Sequence, residues 1–258
     1  MAFWDNPDVD LLYGVNGLAE AAPTWADRLM EYVGEYGIIL ALVLLGLWAW
    51  WGHTRKRPTR EEAVAGFAGL VWTPLAAVVA LIANIPIRGF VERPRPFFDH
   101  KGLEVLIEGK SDYSFVSDHA TLAMALAVGI FLVNRKLGLI GIVLAVLAGF
   151  SRVYMGVHYP TDVIGGLALG MASALLLAPV AMWLLTPLVR AVAGSPRVGP
   201  LVWAGAGEAD GPGTGAPHGA GFPEREVPFA SGAQDAPLGD PGHGQGGYAQ
   251  DGRPAQLR

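Results

Sequence analysis

The chain has 258 residues, of which 52% are hydrophobic and 16% charged, and its formal net charge is −5. A mean hydropathy of +0.37 is too high for an ordinary soluble domain, so the composition predicts a membrane protein. The acidic balance excludes the basic footprint of a nucleic-acid-binding protein, and the absence of cysteine excludes disulfides and thiolate catalysis.

The first third of the chain predicts a short surface helix and two membrane spans. Residues 8–21 are amphipathic at helical spacing but short, which is typical of a helix that lies in the membrane interface. A second helix is expected to begin near Thr24 or Asp27 and to become fully apolar from Ile38 to Trp51. The second span is predicted from about Ala63 to Ile87.

Three further spans follow the polar loop at 88–118. They are predicted at about Asp118–Asn134, Leu137–Tyr154 and Pro160–Leu188. In the last of them, small residues recur every four positions, a spacing that allows close helix contact. These residues are Gly166, Gly170, Ala174 and Ala178.

The expected fold is therefore all-α, a polytopic transmembrane bundle of about five spans with an N-terminal interfacial helix. The spans divide the chain into an interfacial helix at 1–23, a transmembrane domain at 24–190 and a tail at 191–258. The tail is rich in Gly, Pro and Ala without hydrophobic period, which predicts a disordered segment.

Basic residues in the short loops predict the orientation. Seven of them fall on one side of the predicted bundle: Arg55, Lys56, Arg57, Arg60, Arg135, Lys136 and Arg190. By the positive-inside tendency that side is expected to be cytoplasmic, together with the tail. The loop at 88–118 and the segment 152–160 then share the extracytoplasmic side of a plasma membrane.

Polar residues interrupt two apolar runs between Ser151 and Asp162, and they form the main candidate site. Pro160 suits the first turn of a helix, which places Asp162 at its positive N-terminal end. An ionised Asp162 can accept Nδ1–H of His158 and leave Nε2 with a free lone pair. The alternative is a snorkelling Arg152, a loop histidine and an aspartate cap.

Three blocks of sequence on the predicted outer side resemble the signature motifs of the type 2 phosphatidic acid phosphatase (PAP2) family. The blocks are Arg88-x6-Arg95-Pro96, Val116-Ser117-Asp118-His119 and Ser151-Arg152-x5-His158-x3-Asp162. The family patterns are Lys-x6-Arg-Pro, Pro-Ser-Gly-His and Ser-Arg-x5-His-x3-Asp, and the third block matches at every defined position.

This sequence departs from the family patterns at three positions. Arg88 replaces Lys and keeps the charge, although the two side chains bind phosphate with different geometry. Val116 and Asp118 replace Pro and Gly. The Ser-Asp-His form, preceded by Arg93-Pro94-Arg95-Pro96, resembles the bacterial branch that dephosphorylates undecaprenyl pyrophosphate.

The resemblance implies a phosphatase that works through a phosphohistidine. His158 would be the nucleophile, Asp162 would fix its tautomer, and His119 would protonate the leaving oxygen and later activate water. Arginines would hold the phosphoryl oxygens in place of a metal, so neither metal nor other cofactor is implied. The implied phosphate-binding residues are Arg88, Arg95, Ser117, Asp118 and Arg152.

Several alternatives stay open at the level of sequence. Ser117 is either a helix cap or a phosphate contact, or both, and Arg93 and Asp118 are either loop charges or site residues. The expected substrate is a lipid phosphate or pyrophosphate held in the bilayer, with undecaprenyl pyrophosphate favoured over phosphatidic acid or phosphatidylglycerol phosphate. A third reading is a non-catalytic protein that binds or carries lipid phosphates. The motifs do not choose the lipid, the isoprenoid length, the oligomeric state or the role of the tail.

Overall fold

The computed structural model describes residues 6–107 and 109–207, and within these ranges it contains helices and loops but no strand. The helices are α1 (Pro7–Glu20), α2 (Thr24–Tyr32), α3 (Ile38–Trp48), α4 (Arg60–Val91), α5 (Pro96–Asp99), α6 (Asp118–Val133), α7 (Arg135–Tyr154), α8 (Pro160–Leu176), α9 (Ala178–Ala193) and α10 (Gly199–Val202). The prediction of an all-α helix bundle is confirmed.

In the part of the chain that the structure describes, three helical stretches are long and apolar enough to cross a membrane, namely Thr24–Thr54, Arg60–Asp99 and Arg135–Tyr154. In the first of them π-helical turns join α2 to α3 and extend α3 to Thr54. Helix α6 has 16 residues and is about 24 Å long at 1.5 Å per residue, shorter than a bilayer core of about 30 Å.

The last predicted span is not one straight helix. Helices α8 and α9 together are long and apolar enough for one span, but they meet at Leu177 with a bend of 50°. Pro179 explains the break, because it lacks an N–H and its ring clashes with the carbonyl four residues earlier. The expectation of a continuous helix from Pro160 to Leu188 was therefore wrong.

Helix α6 lies in the centre of the bundle and packs against α4, α7 and α8. The contact with α8 is close because Gly170 has no side chain: a Cβ there would lie 2.3 Å from the carbonyl oxygen of Thr121. Small residues on α8 thus bring the start of that helix against the start of α6. This contact brings the second and third sequence motifs together.

Two predicted boundaries differ in the structure. Helix α4 continues through Arg88 to Val91, so Arg88 lies in its last turn and not just beyond it. Just past residue 190 the chain is not disordered as predicted: the side chain of Val202 is buried, and the indole of Trp203 donates to the Arg57 carbonyl at 3.1 Å. These contacts hold the chain against the bundle as far as Ala204, whose N–H donates to the Arg55 carbonyl at 2.9 Å. The predicted tail beyond residue 207 lies outside the described residues.

Candidate active site

Two helix starts and one helix end meet at the same end of the bundle. The backbone N–H of Ser117, just before α6, donates to the carbonyl of Asp162 in the first turn of α8 at 3.0 Å. Helix α7 ends at Tyr154, and Gly156 then adopts a positive φ of 68° that turns the chain towards His158. The histidines of the second and third motifs, His119 and His158, therefore lie at one end of the molecule.

His158 lies between a cation and a carboxylate. Its Nε2 is 3.3 Å from Nη1 of Arg95, and its Nδ1 is 3.6 Å from Oδ2 of Asp162. A guanidinium can only donate, so a hydrogen bond across this contact would place the lone pair on Nε2 and the proton on Nδ1. The expected tautomer is compatible with this contact, although the 3.6 Å from Nδ1 to Asp162 is longer than the predicted hydrogen bond.

The imidazole of His158 is held in its neutral form. Burial is the main cause that lowers its pKa below the usual histidine value, and the charges of Arg95 and Arg152 lower the pKa further. Asp162 acts in the opposite direction but does not cancel the effect. A neutral imidazole with a lone pair on Nε2 is what a nucleophilic histidine requires.

Arg152 and His119 share a carboxylate that the motifs did not include. Nη1 of Arg152 donates to Oε2 of Glu35 at 2.6 Å, and Nε2 of His119 lies 3.6 Å from Oε1 of the same residue. Arg152 is almost completely buried, with 1% of its side chain exposed. Glu35 enters the site from the π-helical turn between α2 and α3.

A second carboxylate joins the two arginines of the first motif. Oδ1 of Asp112 accepts from Nη2 of Arg95 at 2.8 Å, and its Oδ2 accepts from Nη1 of Arg88 at 2.8 Å. Burial raises the pKa of Asp112, but the two guanidinium groups outweigh it and hold the pKa below its usual range. The carboxylate therefore stays charged and fixes the spacing of the arginines.

Asp118 does not donate a hydrogen bond to a phosphate, because its carboxylate accepts hydrogen bonds and pairs with cations. It pairs with Nη2 of Arg88 at 2.5 Å and accepts from Nδ2 of Asn84 at 2.7 Å. Its effect on a phosphate can only be indirect, through the position of Arg88.

Ser117 stands at the N-cap position of α6, yet its side chain makes no capping hydrogen bond. The hydroxyl is fully buried and has no partner among the described residues. Its backbone N–H already donates to the carbonyl of Asp162, so that N–H is not free to bind an anion.

Buried polar atoms without a hydrogen-bond partner cluster at this end of the bundle. Within residues 6–107 and 109–207 they include Nε of Arg88, Oγ of Ser117, Nε and Nη2 of Arg152, and Nδ1 of His158. Leaving such groups unpaired costs about 1–3 kcal/mol each and more when they are charged, so a concentration of them is typical of a binding site.

Sequence reasoning missed two site residues and left a third open. Glu35 and Asp112 pair with the motif arginines, and Arg93 donates to Oδ1 of Asp162 at 2.9 Å. A signal existed for Glu35, since an ionisable residue beside an apolar run is costly and seldom without a partner. For Asp112 the sequence offered only membership of a polar loop, whereas Arg93 was left open between a loop charge and a site residue.

Comparison with known proteins agrees with the three motifs. Residues 69–185 match the PAP2 superfamily. The undecaprenyl-diphosphatase BcrC of Bacillus subtilis (strain 168) is 34% identical over 146 residues, which is 56% of this chain and 69% of that protein. A protein named bacitracin transport permease protein BcrC, from Bacillus licheniformis, is 34% identical over 168 residues, or 65% of this chain and 77% of that protein.

A third relative acts on a different prenyl lipid. The decaprenylphosphoryl-5-phosphoribose phosphatase of Mycobacterium tuberculosis (strain ATCC 25618 / H37Rv) is 39% identical over 145 residues, 55% of this chain and 72% of that protein. These matches confirm the predicted family resemblance and the predicted phosphatase class. Together with the apolar helices they also confirm the coarser prediction of a multi-pass bacterial membrane protein.

Proposed function

Since the chain belongs to the PAP2 superfamily, we propose that it is a metal-independent lipid phosphatase that converts undecaprenyl pyrophosphate to undecaprenyl phosphate through a phosphohistidine at His158. The proposal depends above all on the buried donors of Arg88, Ser117 and Arg152 that have no partner among the described residues. A phosphoryl group supplies the acceptor oxygens that these donors lack.

In the first step the lone pair of His158 Nε2 attacks the terminal phosphorus. A nitrogen–phosphorus bond forms, the bridging phosphorus–oxygen bond breaks, and the leaving lipid phosphate takes a proton from His119. The charge on Asp162, 3.6 Å from Nδ1, favours the imidazolium that forms on His158. Arg95 and Arg152 stabilise the charge that develops on the phosphoryl oxygens.

In the second step water replaces the histidine. His119 takes a proton from the water, the oxygen attacks phosphorus, and the nitrogen–phosphorus bond breaks to return the electron pair to Nε2 of His158. Inorganic phosphate leaves, and His119 is again protonated. Oε1 of Glu35 lies 3.6 Å from Nε2 of His119, so a proton on that nitrogen would face the carboxylate.

A groove beside the arginines supports a lipid substrate. It has a volume of about 600 Å³, and its wall on α4 is apolar, including Leu81, Ile82 and Ile85. Arg88 and Asp118 also line the groove. An apolar tail in this groove would place its phosphate beside Arg88, as a prenyl pyrophosphate requires.

The proposed site faces the extracytoplasmic side, and the C-terminal tail is cytoplasmic. Support comes from the basic residues of the opposite end, such as Arg55, Arg135 and Arg190, which favour the cytoplasm. A tag at the C-terminus should be inaccessible to an impermeant reagent in intact cells. Labelling without permeabilisation would show that the orientation is the opposite of the one proposed.

The catalytic proposal is tested by phosphate release from purified protein in excess EDTA. Undecaprenyl pyrophosphate, decaprenylphosphoryl-5-phosphoribose, phosphatidic acid and phosphatidylglycerol phosphate form the substrate panel. We expect the highest kcat/KM on undecaprenyl pyrophosphate and no measurable phosphate release by His158→Ala. The control is His53→Ala, at the other end of the bundle, which should release phosphate as wild type does.

Each other outcome has a definite meaning. A preference for a glycerolipid phosphate would replace the substrate but keep the chemistry. Binding of the lipid without phosphate release would favour a carrier and reject the enzyme mechanism. Full activity in folded His158→Ala would reject the phosphohistidine.

A further inference from the structure

Helix α1 packs on the segment that carries the third motif. Leu12 of α1 is fully buried and forms an apolar cluster with Val153 and Tyr159. One turn later the side-chain amide of Asn16 donates to the carbonyls of Tyr154 and Glu104, at 2.8 Å in both cases. The N-terminal helix is thus fixed to the chain on either side of His158, in addition to any place that it has at a membrane surface.

At the start of the same helix, Asp8 reaches the first turn of α8. Its Oδ1 accepts from the backbone N–H of Thr161 at 2.9 Å, and its Oδ2 accepts from the Thr161 hydroxyl at 2.6 Å. Oδ2 also accepts from Nη2 of Arg93 at 2.6 Å. Burial raises the pKa of Asp8, but these hydrogen bonds and the charge of Arg93 lower it overall, so the carboxylate is ionised at neutral pH.

Arg93 connects Asp8 to Asp162, the carboxylate beside His158. Its Nη1 donates to Oδ1 of Asp162 at 2.9 Å and to the hydroxyl of Thr161 at 2.7 Å, while its guanidinium lies 3.6 Å from the centre of the Tyr159 ring. The other oxygen of Asp162 accepts from the Tyr159 N–H at 2.9 Å and faces His158.

The charges of this group also fit a role at the site. A single arginine on Asp162 would neutralise the carboxylate and weaken its effect on His158. Asp8 offsets that arginine, because two acids and one base leave one negative charge next to the imidazole. If α1 only needed to be anchored, the apolar contacts of Leu12 would be enough. The series of charged contacts from Asp8 through Arg93 to Asp162 would not be needed.

We propose that Asp8 and Arg93 are positioning residues: Asp8 holds Arg93 and Thr161, and Arg93 holds Asp162 in the place that His158 requires. This inference rests on the proposed role of His158 and Asp162. It makes the N-terminal helix a component of the active site.

The main test compares two carboxylates of one helix in the full-length protein. Asp8→Asn removes the charge that contacts Arg93, whereas Asp10→Asn makes the same change at an exposed position. We expect Asp8→Asn to lower kcat on undecaprenyl pyrophosphate about tenfold or more with KM changed less than about twofold, since small displacements of catalytic groups act on the chemical step. Asp10→Asn should match wild type. Equal kcat in the two variants would overturn the proposal.

A second pair of variants guards against misfolding. Thr161→Val keeps the shape of the side chain but removes the hydroxyl that Asp8 and Arg93 share, while Thr161→Ser retains it. We expect a kcat loss in the valine variant only.

A double-mutant cycle tests the connection through Arg93. In the background of Arg93→Gln, Asp8→Asn should lower kcat by a smaller factor than it does in wild type, because both changes break the same chain of contacts. Full additivity would exclude the route through Arg93.

Amide hydrogen exchange separates this proposal from the phosphatase proposal. If wild type releases no phosphate, the proposed function fails, and exchange at Tyr159 and Thr161 decides the present one. Faster exchange at these amides in Asp8→Asn than in Asp10→Asn supports the chain of contacts. Equal protection in the two variants contradicts it.

Discussion

Arginines lie at both ends of the helix bundle, but they are held in different ways. At the end formed by the start of α4 and the end of α9, Arg190 makes an exposed ion pair with Glu61 and Arg57 donates to the Val133 carbonyl. At the other end Arg95 and Arg152 are almost completely buried. Arg57 and Arg190 therefore bind groups near helix ends, whereas Arg95 and Arg152 place positive charge in the protein interior.

The difference extends to unpaired donors. Among the described residues, the end near Arg190 has one buried side-chain atom without a partner, Nε of Arg55, and that guanidinium lies over the Trp51 ring at 4.3 Å. The end with His158 has five such atoms. Since unpaired buried donors are costly, their concentration distinguishes a binding end from an end that only stabilises the bundle.

The strongest test of this contrast is the same substitution at both ends. Arg152→Lys keeps the charge but removes the Nε and Nη2 donors, so we expect kcat/KM to fall about a hundredfold or more, as when a donor to a developing charge is lost. Arg190→Lys at the exposed pair should change kcat/KM less than about twofold. Similar losses in both variants, measured by phosphate release, would remove the distinction.

The close packing of α6 against α8 is tested by replacing two glycines with alanine, one at this contact and one away from it. In Gly170→Ala the new Cβ would lie 2.3 Å from the Thr121 oxygen, which should destabilise the protein by about 1–3 kcal/mol. In Gly14→Ala on α1 nothing lies within 4 Å, and alanine should stabilise by about 0.5–1 kcal/mol. Thermal unfolding in detergent gives both values, and the same sign in both variants would contradict the packing.

The pH dependence of the reaction tests the neutral state of His158. Because its pKa is lowered by burial and by Arg95 and Arg152, the unprotonated nucleophile persists below the usual histidine value of about 6.5. The acid limb of the kcat/KM profile should therefore lie below pH 6.5, and Arg95→Gln should move it to higher pH. An acid limb above pH 6.5 in wild type would contradict the described environment.

The smallest expected effect concerns acid stability. The pKa of Asp8 is lowered in the folded state, so its contacts stabilise the protein above the unfolded value of about 3.9 and this contribution is lost as pH falls through the folded pKa. Asp8→Asn should therefore lose less stability than wild type on acidification from pH 6 to pH 3. Asp10→Asn is the control, and an identical acid response in wild type and Asp8→Asn would exclude the contribution.

Much of the fold was predictable because apolar runs and helix-start residues are local signals. Thr24, Asp118 and Pro160 begin helices where the sequence indicates, and Pro160 takes the first position of α8. The bend at Leu177 was missed although Pro179 is visible in the sequence. A proline two residues into a new helix is compatible with either a kink or a fresh start, and tertiary packing decides between them.

For the site, sequence indicated the cations but not their partners. Arg88, Arg95 and Arg152 come from recognisable blocks, whereas Glu35 is 117 residues from Arg152 and Asp8 is 85 residues from Arg93. Such pairs depend on how helices pack, which a single sequence does not specify. Ser117 shows the same limit, since a serine at an N-cap is expected to cap and here its hydroxyl makes no such bond.

The central claim, that His158 becomes phosphorylated, is tested most directly by trapping the intermediate. Undecaprenyl pyrophosphate labelled on its terminal phosphate is mixed with the enzyme, quenched within one turnover in alkali, and the protein is digested and sequenced by mass spectrometry. We predict an acid-labile, alkali-stable phosphate on His158 that is absent in His158→Ala. A label on another residue, or turnover without any labelled protein, would contradict the account.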